Sequence, residues 1–585
     1  MAEGAARRTA VLRVASIAFA LLCAIAAAAL MAQSSAEDRW QVWDGVRVAL
    51  IFVTTAWLAW GAVQAFVGVP PRKPREEPRA VAGHAPTVML VPICNEDADA
   101  VMARIAAMDA SMRTAGLDVH VAVLSDTRDA AALAREQRAF ARLYAARGGA
   151  GRIFYRNRTD NRGRKAGNIE DFVRRHGAAY EFAVILDADS LMEGDTVSAL
   201  IARMQAEPDL GLLQTLPVIV GARSVFGRAM QFAARFHSPV FARGLARLQG
   251  RTGPFWGHNA IVRVRALAEC CALPELTGPP PFGGTILSHD YVEAALLARG
   301  GWRVAVDETL GGSFEEGPDT LLAHAKRDRR WCQGNLQHTR LLNAPGLLGW
   351  SRFVFAQGIV SYLVSILWGA FLVASVVATV AAPAPDYFPD PYQLFPAFPD
   401  DRTREIIALA IGIGGLLLLP KVAILAEAIG TGRAAGFGGG ARAAGSVLAE
   451  VALSSLIAPV LLMYQSRAVL EVISGRDGGW PANQRGEGRI DLVQGLRAGA
   501  WIAVFGVLVL AVVAWLAPAL TIWLLPVALP MAAAPLILSW TSRPAPGGLF
   551  AVPDDAVTAP VVRAFHAELA QYGDRADGGA KGAAA

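Results

Sequence analysis

Long apolar stretches stand towards both ends of this chain and leave one polar region between them. Residues 14–32 and 48–69 precede that region, and residues 353–382 begin a further series that ends near residue 540. A helix needs roughly 20 apolar residues to cross the hydrocarbon core of a bilayer. Because only helices and closed barrels satisfy their backbone groups in lipid, the pattern predicts a multi-pass α-helical membrane protein with a separate polar domain.

The chain divides into four predicted parts. Residues 1–70 are predicted to form an N-terminal transmembrane hairpin, residues 71–345 a cytoplasmic domain, residues 346–541 C-terminal transmembrane or interfacial helices, and residues 542–585 a flexible cytoplasmic tail. The tail is polar and rich in Gly and Ala, a composition typical of disorder. The first span also resembles a signal peptide, but the second span follows at once and favours a retained anchor.

Basic residues predict the orientation of the spans. They cluster before the first span and after the second, so both outer flanks and the central domain are expected on the cytoplasmic side. The loop after residue 382 carries Asp386, Asp390, Asp400 and Asp401 and is expected on the opposite side.

The apolar stretch 446–473 leaves its topology open. It is too short to cross twice at about 20 residues per pass, and Pro459 interrupts it, so it is expected to be re-entrant or to lie along the interface. Residues 500–516 and 520–540 are expected to form a tight final pair of spans.

Composition supports a membrane protein and argues against two other classes. Hydrophobic residues make up 54% of the chain and charged residues 18%, against roughly 45–50% and about 25% in soluble proteins. The net charge of +5 comes without a long basic tract with interleaved aromatics, so nucleic acid is not an expected partner. The five cysteines lack CxxC spacing, so neither a disulfide framework nor a zinc site is expected.

The polar region alternates short β-branched runs with helical patterns. The clearest strands are residues 87–92, 119–125 and 182–186, and a helix is expected over residues 131–146. This order predicts a Rossmann-like α/β domain with a mostly parallel sheet. Ligands of such sheets bind outside the carboxyl ends of the strands.

Three acidic residues stand where two of these strands end. Asp126 follows the second strand, and Asp187 and Asp189 follow the third, where alternation directs both carboxylates to one side. Oxygen ligands so placed suit Mg²⁺ or Mn²⁺ held partly by a substrate diphosphate. Acids are also common in exposed loops and turns, so the position at the strand ends is what favours the metal interpretation.

Residues 164–168 place cations, a glycine and an amide ahead of a helix expected to start near Ile169. Lys165 and Asn168 can cap that helix or can clamp a phosphate or uracil group, and both interpretations stay open. Trp256 with His258 and Asn259 suits a sugar ring, although a buried Trp beside a loop is the ordinary alternative.

Two further motifs have both a structural and a chemical interpretation. Asp290 begins a helical pattern, where it can be a first-turn acid or a base that takes a proton from an attacking hydroxyl. Arg330 and Trp331 end a basic run just before the membrane, where anionic headgroups are the common partner, or they can hold a diphosphate.

Order and spacing of these motifs resemble those of membrane-embedded glycosyltransferases of family 2, in the cellulose-synthase and hyaluronan-synthase superfamily. That pattern is an early Asp, a DxD, a (T/S)(E/H)D base motif and a Q(Q/R)xRW element. The strings KAGNIEDF, LDADSLM, WGHNAIVRV, ILSHDYVEAAL and KRDRRWCQGN resemble the branch that makes osmoregulated periplasmic glucans. The resemblance runs over most of residues 85–345 and implies a GT-A fold for that domain.

The resemblance also implies a role for each motif. Asp126, Lys165, Asn168 and Arg330 would bind the nucleotide sugar, with Asp187 and Asp189 at the diphosphate and its Mg²⁺ or Mn²⁺. Asp290 would be the catalytic base. Trp331 would sit between diphosphate and acceptor, and the acceptor side would be lined by Trp256, His258 and Asn259. The sequence departs from the superfamily pattern at two places. Arg327-Asp328 stands where the Q(Q/R)xRW element begins with Gln and Gln or Arg, and His289 replaces the usual Glu beside the base.

The activity implied is elongation of a glucan backbone, mostly β-1,2-linked, from UDP-glucose at the bacterial inner membrane, for export to the periplasm. The acidic and basic motifs predict an inverting displacement, and the spans on both sides of the domain predict that synthesis is coupled to translocation. The implied partners are UDP-glucose, the growing glucan, the lipid bilayer and, as a candidate, a periplasmic glucan-processing protein. A synthase of another β-glycan such as cellulose is the alternative enzyme. A membrane transporter or regulator that senses nucleotide sugars is the alternative from another class, which the full set of acids disfavours.

Overall fold

The computed structural model describes residues 2–34, 40–72, 85–382, 387, 392–395, 403–477 and 488–582. The loop acids Asp386, Asp390, Asp400 and Asp401 lie outside the described residues. The described part of the polar region contains ten strands. They are β1 (Thr87–Ile93), β2 (Val119–Ser125), β3 (Ile153–Asn157), β4 (Phe182–Ile185), β5 (Leu191–Met192), β6 (Leu210–Thr215), β7 (Val218–Val220), β8 (Ala260–Arg263), β9 (Arg303–Asp307) and β10 (Ser313–Glu316).

Seven of these strands form one mixed sheet in the order β3-β2-β1-β4-β8-β6-β9. Only β8 runs antiparallel to its neighbours in that sheet, and the other pairs are parallel. A second sheet has the order β5-β10-β7. The parallel part brings the carboxyl ends of β1 to β4 to one edge, as the positions of the three predicted strands require.

Helices cover both faces of the large sheet, which explains why its strands are nearly continuous apolar runs. Those of the domain are α3 (Ala98–Thr114), α4 (Ala130–Arg147), α5 (Arg164–His176), α6 (Gly194–Ala206), α7 (Val225–Phe236), α8 (Ser238–Gln249), α9 (Val264–Cys270), α10 (His289–Arg299) and α11 (Leu321–Gln337), numbered after α1 (Ala2–Ser34) and α2 (Val42–Gly68). One core lies between the sheet and α3, α4 and α6, and the other against α5, α9 and α10. Met89 of β1 points into the first core and Leu90 into the second.

Six helices in the described part of the chain are long and apolar enough to cross a membrane. Besides α1 and α2 these are α12 (Gly349–Ala381), α13 (Thr403–Gly430), α14 (Gly440–Ile473) and α15 (Leu492–Leu516). The stretch left open between a re-entrant and an interfacial segment is therefore part of one continuous helix, α14, of 34 residues. Pro459 lies inside α14 without ending it.

The last expected span, residues 520–540, is broken. It forms α16 (Thr521–Ala532) and α17 (Ala534–Thr541), which meet at a 58° bend. Pro526 and Pro530 lie inside α16, and Pro535 is the second residue of α17. Because proline removes a backbone donor and clashes with the preceding turn, this spacing of prolines favours a bend over a straight helix.

The tail was expected to be flexible, and the structure corrects that expectation for residues 553–572. Residues after α17 form α18 (Pro553–Ala556) and α19 (Pro560–Gly582), and α19 packs against α3. Val561, Phe565 and Tyr572 recur at helical spacing and are buried in the core beside α3. The high Gly and Ala content of the tail hides this apolar face from an argument based on composition.

Candidate active site

Asp126 lies at the end of β2 and is 5% exposed. Its carboxylate accepts hydrogen bonds from Nε and Nη2 of Arg158 at 2.5 and 2.8 Å and from Nδ2 of Asn168 at 2.9 Å. Arg158 directly follows β3, the strand paired with β2. The sequence argument missed Arg158, although its position at a strand end was the available signal.

Asn168 is 1% exposed, and protein groups occupy its amide. Nδ2 donates to the Leu124 carbonyl at 3.0 Å as well as to Asp126, and Oδ1 accepts from Arg156. The Asn168 amide therefore bonds to Asp126 and to groups of β2 and β3, which does not match the expected direct contact of Asn168 with a nucleotide. The helix also starts earlier than Ile169, because Gly163 adopts a left-handed φ of 70° and α5 begins at the next residue.

Lys165 links two of the predicted motifs. Its Nζ forms an ion pair with Asp187 and donates a hydrogen bond to the carbonyl oxygen of Gly257 at 2.7 Å. Gly257 stands between Trp256 and His258, so the first turn of α5, the 187–189 motif and the 256–259 loop meet at one ammonium group. A single point charge with three donors suits such a junction.

Asp187 and Asp189 lie in one tight turn. The Asp187 amide donates to Ser190 Oγ at 2.9 Å, and the Ser190 amide donates back to the Asp187 carbonyl at 3.1 Å. The side chain of Asp187 is 38% exposed, whereas Asp189 is 8% exposed. The two acids therefore share one short segment between β4 and β5.

The side chains around this turn limit which metal ion can bind there. Among the residues that the structure describes, no group of three or more His, Cys, Asp or Glu side chains is arranged to hold a metal ion. A metal ion at this turn would take most of its ligands from groups other than protein side chains. Mg²⁺ and Mn²⁺ bound to a diphosphate are of that kind, since they need only one or two carboxylates.

Glu315 of β10 is a further acid at this place that the sequence argument missed. Burial raises its pKa, and Asp187 and Asp189 raise it further, against the opposing effect of His258 and Arg327. His258 Nε2 lies 3.6 Å from Glu315 Oε2. Glu315 comes from a strand far along the chain in a separate small sheet, so no local pattern marks it.

The residues expected on the acceptor side separate into two groups. Trp256 and His258 are partly exposed. Asn259 is completely buried, and its Nδ2 donates to Ser313 Oγ at 2.8 Å and to the Phe314 carbonyl at 3.2 Å. Asn259 therefore joins the loop to β10 instead of lining a surface, which corrects its expected contact with an acceptor.

Asp290 lies in the first turn of α10, directly against Gly257. A Cβ placed on Gly257, whose φ is 85°, would come within 3.7 Å of Asp290 Oδ2. The loop that accepts the Lys165 hydrogen bond is thus in contact with the predicted base. Asp290, Lys165 and Asp187 are brought together around this one glycine.

The surroundings of Asp290 shift its protonation. Burial raises the pKa of Asp290, while the neighbouring His289 lowers it. His289 Nδ1 lies 3.2 Å from Glu293 Oε2, one helical turn further on. Burial lowers the pKa of His289, but Glu293 and Asp290 raise it, and the net shift is upward. A carboxyl with a raised pKa is a better proton acceptor than an ordinary one.

Helix α11 carries Arg330 and Trp331. Trp331 is 42% exposed, and the guanidinium carbon of Arg327 lies 4.4 Å from the centre of its ring. Arg330 is partly buried on the same helix. On another face, Asp328 accepts a hydrogen bond from the Tyr362 hydroxyl of α12 at 3.1 Å.

The C-terminal end of α11 packs against the start of α10. His338, just beyond α11, places Nε2 3.1 Å from the Ser288 carbonyl oxygen. Gly334 packs closely against Ser288. A Cβ on Gly334 would lie 2.2 Å from the Oγ of Ser288 and 2.8 Å from the backbone nitrogen of Ser288. The helix of Arg330 and Trp331 therefore also positions Asp290.

Family models and relatives agree with this architecture. The Glycosyl transferase family 2 model matches residues 89–271, and the Glycosyl transferase family group 2 model matches residues 182–398. Fold and matches together define a family 2 glycosyltransferase with a GT-A domain, flanked by helices apolar enough to span a membrane. The fold class predicted from the sequence is confirmed.

Curated relatives identify the branch. Glucans biosynthesis glucosyltransferase H from Cereibacter sphaeroides is 56% identical over 566 residues, which cover 96% of this chain and 95% of that protein. The protein of the same name from Caulobacter vibrioides is 42% identical over 496 residues, covering 82% of this chain and 74% of that protein. The chain belongs to the glucans biosynthesis glucosyltransferase H family. The resemblance stated from the motifs is confirmed.

A solved structure is more distantly similar. The mannosyltransferase PcManGT from Pyrobaculum calidifontis, in complex with GDP-Man and Mn²⁺, is 15% identical with a TM-score of 0.45, over 74% of this chain and 100% of that one.

Proposed function

We propose that this chain transfers glucose from UDP-glucose, with inversion, onto a growing β-1,2-linked glucan at the cytoplasmic face of the bacterial inner membrane. Membership of the family supports glucosyl transfer in glucan synthesis. Six apolar helices beside the catalytic domain support a membrane location. A product destined for the periplasm would then cross the membrane where it is made.

One contact supports the chemistry more than any other. Lys165 bridges Asp187 and the carbonyl of Gly257, and Gly257 packs against Asp290. The residue assigned to the diphosphate and the residue assigned as the base are therefore linked through Gly257. Transfer of a sugar from a nucleotide donor needs a group that stabilises the leaving diphosphate and a group that takes the acceptor proton, one on each side of the reacting carbon.

These positions support the following reaction. Asp290 takes the proton of the acceptor hydroxyl as its oxygen attacks the anomeric carbon of glucose. The bond between that carbon and the diphosphate oxygen breaks, and UDP leaves with the electron pair. One displacement inverts the anomeric centre, so no covalent sugar intermediate forms.

Cationic groups would stabilise the leaving diphosphate. Lys165 and Arg330 supply positive charge, and Asp187 and Asp189 would hold Mg²⁺ or Mn²⁺. The metal ion would neutralise charge that develops on the diphosphate. Asp126, oriented by Arg158 and Asn168, would bind the nucleoside.

Trp256, His258 and Trp331 would line the acceptor side. Each is at least partly exposed, and an aromatic face suits the apolar surface of a sugar ring.

Polymer made by the purified protein tests this function. The full chain in lipid nanodiscs, supplied with Mg²⁺ and UDP-[¹⁴C]glucose, is expected to release UDP and to form a labelled glucan in which methylation analysis finds 1,2-linked glucose. Polymer with only 1,4-linkages would favour the cellulose-type alternative. UDP-glucose that stays intact with every divalent metal tried would contradict the proposed donor.

Inverted membrane vesicles test the link to export. With UDP-glucose added outside, where the catalytic domain would face, labelled glucan is expected inside the lumen and protected from an added glucanase. Product that remains wholly outside would contradict coupled export.

A further inference from the structure

The chain beyond the last apolar helix returns along the catalytic domain. Arg228 of α7 holds the carboxylate of Asp555 through both terminal nitrogens, at 2.9 and 2.5 Å. Arg235 of the same helix pairs with Asp554 at 3.2 Å. These ion pairs direct the following residues into α19, on the side of the domain that carries α3.

Helix α19 has one docked face and one exposed face. Val561, Phe565 and Tyr572 are at most 8% exposed and belong to the core beside α3. Arg563 and Gln571 are exposed. An amphipathic helix with its apolar side buried in this way is a packed element of the domain.

Arg104 of α3 connects Phe565 to the turn formed by residues 187–190. The Arg104 side chain is buried, and its guanidinium carbon lies 4.5 Å from the centre of the Phe565 ring. Nη1 donates to the carbonyl oxygen of Ala188 at 3.4 Å, and Nη2 pairs with Glu316. Ala188 stands between the two acids of the turn. Because a guanidinium donates in fixed directions, the position of Arg104 constrains that carbonyl.

Helix α19 contacts the same segment a second time. Glu193 directly follows β5, close to the start of α19. Burial raises the pKa of its carboxyl, and the nearby backbone N–H of Val561 lowers it. The segment that begins with the two acids is thus held at Ala188 through Arg104 and at Glu193 by α19 itself.

We propose that α19 is a strap that holds the 187–190 turn in its donor-binding conformation, with Arg104 as a positioning residue. The proposal rests on the proposed function, which assigns this turn to the diphosphate and its metal. Releasing the strap lets the turn sample other conformations, so ordering it again costs free energy when the donor binds. Asp290 lies on α10, which the strap does not touch through these contacts, so the chemical step is largely spared.

Two variants test the strap, each with a matched control. Arg104→Leu removes the contact at Ala188, and Phe565→Ala removes the surface under Arg104. Arg113→Leu changes an exposed arginine of the same helix α3, and Arg563→Ala changes an exposed residue of α19. Melting temperature and gel-filtration profile select the folded proteins. Arg104→Lys keeps the charge towards Glu316 and separates loss of the ion pair from loss of the fork geometry.

The first readout is hydrogen exchange of the peptide that spans residues 187–193. Exchange is expected to be faster in Arg104→Leu and Phe565→Ala than in wild type, and unchanged in both controls. The second readout is the KM for UDP-glucose with Mg²⁺, expected to rise about tenfold in both variants while kcat stays within about twofold, the size expected for loss of one charge-assisted hydrogen bond.

Two results would overturn the proposal. One is unchanged exchange at 187–193 in folded Arg104→Leu and Phe565→Ala proteins. The other is a normal donor KM in both variants, or a fall in kcat alone. A wild-type protein that does not use UDP-glucose would instead contradict the proposed function, and the exchange comparison would still decide whether the strap holds the turn.

Discussion

Lys165 donates a hydrogen bond from Nζ to the carbonyl oxygen of Gly257 at 2.7 Å. The same nitrogen is paired with Asp187. This contact joins the edge of the sheet, where β4 ends, to the loop that packs against α10. This side chain therefore helps to fix the relative position of the diphosphate side and the base side of the site.

Removal of that cation is expected to weaken donor binding. Lys165→Met removes the ion pair with Asp187 and a positive charge from the diphosphate site. The KM for UDP-glucose is expected to rise roughly tenfold to a hundredfold, as for loss of a hydrogen bond to a charged group. Arg162→Ala is the control, because that side chain is 74% exposed and pairs only with Glu275 in the described contacts. Equal effects of both variants would count against a specific role for Lys165.

The pH dependence of transfer is expected to report on His289. Burial raises the pKa of Asp290, and protonated His289 lowers it. His289→Gln removes that cation, so the pKa of Asp290 rises and the base becomes protonated at higher pH. The acid limb of the pH–kcat profile is therefore expected to move upward. A limb that stays in place, or moves downward, would show that His289 does not act on the base.

Close packing at Gly334 is expected to matter for both stability and catalysis. Gly334→Ala places a methyl group where the Oγ and the backbone nitrogen of Ser288 already lie. Overpacking of this kind costs about 1–3 kcal/mol, so chemical denaturation is expected to show lower stability, and displaced Asp290 is expected to lower kcat. Gly349→Ala is the control, since a Cβ there meets nothing within 4 Å. Wild-type stability and rate in Gly334→Ala would contradict the close approach.

Local patterns predicted the parts of this protein that depend on short stretches of chain. The strand at residues 119–125 was predicted with its observed bounds, and the acids at the ends of β2 and β4 follow from the edge rule for parallel sheets. The apolar stretches gave the helices that can span a membrane. The predictions failed where a feature depends on partners that are distant in sequence. They also failed for the tail, where a high Gly and Ala content hides the apolar periodicity of α19.

Two asparagines show why the site could be predicted only in part. Asn168 and Asn259 stand in the motifs expected for them, but each amide is buried and bonded to backbone or side chains of other strands. A motif shows which chemistry a residue can perform and does not show which protein groups already use it. Glu315 is the converse case, since it lies near both acids of the turn without any local signal.

Replacement of Asp290 by Asn tests the central claim most directly. The variant keeps the shape of the side chain but cannot accept the proton of the acceptor hydroxyl. UDP binding in the presence of Mg²⁺, measured by calorimetry, is expected to match wild type, while glucosyl transfer from UDP-glucose falls by at least about a hundredfold. Transfer close to the wild-type rate, with UDP binding intact, would contradict the assignment of Asp290 as the base and the account built on it.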